Sequence, residues 1–194
     1  MGPAVLRRQP GGAPSGVAWL DDPGDERVQV RLSRSVGLPT RLPDILGLAI
    51  RVQVAGERVG DLLLATTGTG SIGRFLLRPA RAPYGAAYTT LMPYRTVSGP
   101  LLLAAFPVTA SPPVFQLAWA RGTGPWNAFA TLEVSGEPSG DEGLPFDPVC
   151  NTVPGLWTYD WTARLREPSY AASQRVRGAA SSEGAPFPDG AVRS

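Results

Sequence analysis

The chain has 194 residues, is 43% hydrophobic and 18% charged, and carries a formal net charge of +2, which suits one domain with a real core. Its 23 Gly and 21 Pro, spread along the chain, argue for many short strands and turns rather than long helices. There is no histidine and no lysine, so Ser-His-Asp and Cys-His catalysis, His-based zinc sites and His-dependent metallophosphodiesterase chemistry are all excluded.

A net charge this small, on dispersed arginines, does not point to nucleic acid. The single Cys150 cannot form an intrachain disulfide and fits a reducing, cytoplasmic setting. With no imidazole to activate it, Cys150 reads as a structural thiol rather than a nucleophile.

Residues 1–16 are rich in Gly, Pro and Arg. They read as a disordered tail, or as a reading frame that starts part-way into its domain. Arg7-Arg8 has the look of a twin-arginine signal, but no apolar stretch of the usual length follows. No window approaches a membrane span, so no membrane partner is expected.

The organising stretch comes next. Over residues 27–33, Val28, Val30 and Leu32 alternate with Gln29, Arg31 and Ser33, the period-two pattern of a half-buried strand. Residues 46–54 and 61–67 are more continuously apolar, as strands covered on both faces would be, and a Gly-bearing turn at 55–60 joins them. The Thr/Gly-rich run at 66–70 lacks the Gly-Lys-Ser/Thr of a phosphate loop and reads as a strand-ending turn.

Residues 73–83 form a short helix or an irregular arm. In it Arg74, Arg78 and Arg81 are spaced to share one helical face, either solvated or against an anionic group. The aromatic-rich residues 84–94 lead back into the sheet. Residues 101–106, 114–120 and 128–135 are three further strands between Pro/Gly turns, so the fold class is mainly β, an antiparallel barrel or sandwich. After a polar turn and a Pro-punctuated loop, residues 162–178 make the one persuasive helix, closed by Gly178. The domain therefore spans residues 17–178, and residues 179–194 read as a disordered C-terminal tail.

Within that helix Arg166, Ser169, Tyr170, Ser173, Arg175, Arg177 and Gly178 form R-x-x-S-Y-x-x-S-x-R-x-R-G. This resembles the proximal helix of haem catalases and the smaller catalase-related peroxidases. The resemblance extends upstream in the same order. Val30-Arg-Leu-Ser is similar to the family's Val-Arg-Phe-Ser strand, and residues 43–52 are similar to its Asp-x-x-Gly-Phe-Ala-x-Lys-Phe strand. Asp61-Leu with Thr66-Thr67 falls where the family has Asp-Leu and then a distal Asn. The resemblance implies an eight-stranded antiparallel catalase-like barrel with a C-terminal helix, and haem as cofactor. It implies Tyr170 as the iron ligand, Arg166 supporting its phenolate, Arg31 on a propionate, and Ser33 and Thr66 on the distal side. A phenol with a pKa of about 10 needs both a ferric ion and a nearby cation to ligate at neutral pH. An Arg four residues upstream shares the Tyr's helix face if the helix begins near Arg164, which leaves Pro168 within or just beyond its first turn.

The family's distal histidine has no counterpart here. Peroxide cleavage needs an acid–base group of near-neutral pKa, so turnover is expected to be weak or lost even with haem bound. Two further readings stand beside this one. One is a haem-free barrel binding another apolar or anionic small molecule. The other, more remote, is a hydrolase such as a phosphodiesterase, although Asp44, Asp61, Asp147 and Asp160 show no metal-ligand spacing. The sequence leaves room for a homo-oligomer.

Overall fold

The structure is a computed structural model, and it describes residues 2–9, 11–35, 39, 41–56, 58–135, 146–147 and 150–159. Its compact body is Met1–Thr158; the second unit, Tyr159–Ser194, lies outside the described residues except for Tyr159. The expected helix at 162–178, with Arg166 and Tyr170, is therefore outside them too, as is the expected C-terminal tail.

Nine strands follow one another among the described residues: β1 (Gly2–Arg8), β2 (Gly24–Arg34), β3 (Leu46–Ala55), β4 (Arg58–Thr66), β5 (Tyr88–Thr89), β6 (Tyr94–Thr96), β7 (Gly99–Ala110), β8 (Pro113–Ala120) and β9 (Asn127–Val134). The one α-helical turn among the described residues is α1 (Ala18–Asp21). Hydrogen-bonded order runs β5-β4-β3-β2-β1-β9-β8-β7, and β5 pairs back onto β7 through Tyr88↔Ala105 and Thr89↔Ala104. Eight antiparallel strands thus close into a barrel, with β6 added to β7 outside the ring.

Strand parity assigns the two faces. Val28, Val30 and Leu32 on β2 meet Leu48 and Ile50 on β3, which meet Leu62 and Leu64 on β4; these point inward. Leu101, Leu103 and Ala105 from β7 and Phe115 and Leu117 from β8 join the same cluster. An eight-stranded ring leaves an interior just wide enough for side chains, and here they fill it. Tyr88 and Phe115 meet edge to face inside, with ring centroids 6.0 Å apart.

The expected disordered tail at 1–16 is corrected by β1. Residues 2–8 sit in the middle of the sheet, between β2 (Ala4↔Val28) and β9 (Ala4↔Val134), with Ala4 and Leu6 buried. The flanking Gly and Pro hide a strand whose two apolar contacts are too few to form a local pattern. The segment at 73–83 is the irregular arm of the two alternatives, and only the shared helical face is corrected. It contains only short 3-10 turns (Gly73–Phe75 and Pro83–Gly85), and Arg74 is buried while Arg78 and Arg81 are exposed, so the three do not share a face.

Phe115 is fully buried at the centre of the ring cluster. Phe115→Ala is expected to lower unfolding free energy by about 3–5 kcal/mol, measured by urea denaturation.

Candidate functional site

Of the residues suggested for a haem site, β2 places Arg31 and Ser33 on the outer face, beside Ala49 and Gly47 of β3. Thr66 faces the other way. It follows Leu62 and Leu64 in inward parity, is 1% exposed, and its Oγ1 accepts the Leu46 N–H at 3.0 Å. Its hydroxyl ties the end of β4 to the start of β3. The described residues therefore bring Arg31 and Ser33 together, without Thr66, and do not complete a haem pocket. The alternation Leu62, Leu64, Thr66 is legible in the sequence and would have shown this.

The outer face of β2–β4 is occupied by the chain itself. Asp61 and Arg51 are cross-strand neighbours joined in a fork, with Nε–Oδ1 and Nη2–Oδ2 both 2.7 Å. The Asp61 side chain is fully buried. Its Oδ2 also accepts the Asp147 N–H and the Asn151 Nδ2–H, each at 2.8 Å. The Asp61 N–H donates to Asn151 O at 2.9 Å, so the carboxylate and its own amide hold residues 147 and 151 against β4. The hydrogen bond to Asp61 raises the Arg51 pKa despite partial burial. The buried Phe146 ring lies under both guanidinium groups, 4.6 Å from Arg51 and 5.3 Å from Arg31. Gly60, of inward parity with Leu62, leaves room where the segment turns into the core, since a Cβ there would lie 2.6 Å from Val153 Cγ2.

The carboxylates weighed for a hydrolase are committed elsewhere. Asp61 is clasped as above, and buried Asp44 lies 3.6 Å from Arg34 Nε. Asp147 Oδ1 accepts the Cys150 N–H. Asp160 lies outside the described residues, among which no cluster of three or more metal-ligating side chains occurs. Cys150 is exposed rather than packed, and the neighbouring Asp147 raises its thiol pKa, the reverse of activation.

An open depression of about 360 Å³ lies at the rim where β2 ends and β3 begins, lined by Leu32, Ser33, Arg34, Leu46, Arg81 and Pro83. Arg34 is engaged with its own loop, donating from Nη2 to Leu42 O at 2.6 Å and Pro39 O at 3.4 Å. That loop is pinned to the arm by paired backbone bonds, Asp44 N to Ala80 O at 3.0 Å and Ala80 N to Asp44 O at 2.9 Å. Arg81 is exposed and has no carboxylate partner among the described residues. The depression thus offers apolar walls, one hydroxyl and one available guanidinium. Comparison with known proteins adds nothing to this geometry: no family model matches the chain, and no curated protein matches it.

The opposite end of the barrel holds a second polar group that the sequence reading missed, because β1 was not recognised. Glu26 Oε1 lies 3.5 Å from Arg8 Nε, and the Arg8 guanidinium sits 5.3 Å from the Trp19 ring of α1. Arg8 Nη1 donates to Trp19 O at 2.7 Å. Burial pushes the Glu26 carboxyl above its usual value, and the Arg8 charge offsets this in part.

Asp61→Asn removes one half of a buried ion pair and is expected to cost about 3 kcal/mol of unfolding free energy. It should also raise protease sensitivity around Asn151. A carboxyl with a raised folded pKa favours folding at low pH, and that contribution is lost as pH rises from the usual 4.5 through the folded value. The stability of the native protein relative to Glu26→Gln should therefore fall as pH rises through that window. A pH-independent difference in urea titrations would contradict this.

Proposed function

We propose that this barrel is a binding module for a small amphipathic anion, an apolar body carrying a carboxylate, sulfonate or phosphate. The observation that carries the reading is the rim depression, where Leu32, Leu46 and Pro83 line the same space as the Ser33 hydroxyl and the exposed Arg81. Apolar walls with a few convergent polar groups are the usual form of a small-molecule site. The packed interior directs attention to the rim, because a ligand inside would have to displace the core. A cytoplasmic setting, in which exposed Cys150 stays a thiol, belongs to the same proposal.

Haem is itself an amphipathic anion, and a haem-binding, catalase-like reading is the second one. Two observations favour it: the closed eight-stranded antiparallel ring, which is the fold the resemblance implies, and the shared outer face of Arg31 and Ser33. In that reading Tyr170 would hold the iron and Arg166 support it. The bound group would supply redox chemistry, with no histidine in the chain to move a proton on the distal side.

Titration with 8-anilinonaphthalene-1-sulfonate and with haemin separates the two. The first reading expects saturable binding of the sulfonate at one site, weakened about tenfold or more in Arg81→Glu through loss of a charge-assisted contact. Absence of saturation, or indifference to Arg81, overturns it. Protein purified with stoichiometric haem and a Soret band that Tyr170→Phe abolishes would establish the haem reading instead.

A further inference from the structure

Residues 67–82 fold over the outer face of β5 and β7 as a flap with its polarity reversed. Arg74 is turned inward and is only 3% exposed. Its Nε donates to Gly70 O at 3.3 Å, its Nη1 to Gly122 O at 3.2 Å, and its guanidinium lies 4.2 Å from the Trp126 ring. No carboxylate among the described residues pairs with it, and burial lowers its pKa. Thr89 Oγ1 donates to Arg74 O at 2.9 Å, and Trp126 Nε1 to Thr69 O at 3.1 Å, so the flap is fastened from both sides. Its two arms pack backbone to backbone, since a Cβ on Gly68 would lie 2.9 Å from Gly73 O.

The apolar side chains of the flap point out. Ile72 is 74% exposed, Leu76 61%, Leu77 51% and Phe75 38%, and Leu42 (49%) stands on the loop tied to the flap by the Asp44–Ala80 pair. Exposed Arg41, Arg78 and Arg81 flank them. From Leu62 to Leu132 the chain has five arginines and no Asp or Glu, and Asp44 beside the flap is buried against Arg34. Among the described residues of the flap and its neighbouring loop, the strip is therefore apolar and cationic, with its one carboxylate, Asp44, buried.

We propose that the flap docks the protein on an anionic lipid surface, with Ile72, Leu76 and Leu77 entering the headgroup boundary and Arg41 and Arg78 meeting the lipid phosphates. Side chains more than half exposed project outward, as insertion requires, rather than line a groove that receives a peptide. A second copy of the chain is disfavoured by charge: a two-fold contact centred on the strip would bring its arginines against their own counterparts. The expectation of no membrane partner rested on the absence of a spanning window, and this proposal departs from it. No helix of the described residues is long and apolar enough to cross a membrane, and a docking strip requires none. Arg81 borders both the strip and the rim depression, and the variants used here leave it intact, so failure of this inference is distinguishable from failure of the binding-module reading.

The test is co-sedimentation of the full chain with phosphatidylcholine vesicles, with and without about 30 mol% phosphatidylglycerol, at low and high salt. Binding to the anionic vesicles alone is expected, weakened by salt. Ile72→Asn with Leu76→Asn, and separately Arg78→Glu, should each lower partitioning about tenfold, with thermal unfolding unchanged because these side chains are exposed. No partitioning of the native protein, or partitioning indifferent to these variants, overturns the proposal. So does a dimer in sedimentation velocity that the Ile72/Leu76 variant dissolves, which would make the strip a self-association surface.

Discussion

Closure of the ring rests on two residues, Tyr88 and Thr89, which form the whole of β5 and bridge β4 to β7. Their side chains serve opposite faces. Tyr88 points inward onto Phe115, its hydroxyl donates to Pro83 O at 2.8 Å, and burial raises its pKa. Thr89 points outward beneath the flap, accepting the Thr67 hydroxyl at 3.0 Å and donating to Arg74 O. So short a strand contributes few ladder bonds, and closure leans on the packing above and below it. The interior cluster and the flap are thereby linked through one dipeptide.

Strands whose apolar residues are numerous and regularly spaced were legible. Alternation in β2 and the long apolar runs of β3, β4, β7, β8 and β9 mark them without help from the rest of the chain. The expectation that β3 and β4 are covered on both faces is met at Ala49 and Asp61, which are buried on the outer side. β1 was not legible, because what makes it a strand is its place between β2 and β9, which no local window contains. Thr66 was grouped with Arg31 and Ser33 through position in a motif, whereas parity turns it to the opposite face. Arg74 looked like a partner of Arg78 and Arg81 because spacing carries no information about which residue a flap turns inward. The suggested iron ligand, Tyr170, and its support Arg166 lie outside the described residues, so that part of the resemblance stays a proposal.

Arginine is the only strong cation in the chain, and the structure uses its planar, multi-donor head in several ways. Arg51 forks onto Asp61, Arg34 and Arg8 donate to loop carbonyls, and Arg74 stacks on Trp126 while capping two more carbonyls. An ammonium could reproduce the point charge in each place but not the fork or the stack. The carboxylates follow the same logic: Asp61 and Asp44 are buried because an arginine meets each of them. What remains for a ligand or a surface is the guanidinium groups left outside these pairings.

The central position of β1 has a consequence for how the protein is made. Its hydrogen-bond partners are β2, the next strand in the chain, and β9, which ends at Val134. On the ribosome, Ala4 and Leu6 emerge before the other eight strands described, yet one edge of β1 stays unpaired until β9 has followed. A meander of β2, β3 and β4 can assemble early from local hairpins, whereas the seam between β1 and β9 must wait. During that interval the nascent chain carries an open sheet edge, the kind of surface that chaperones hold and that neighbouring chains on a polysome can capture.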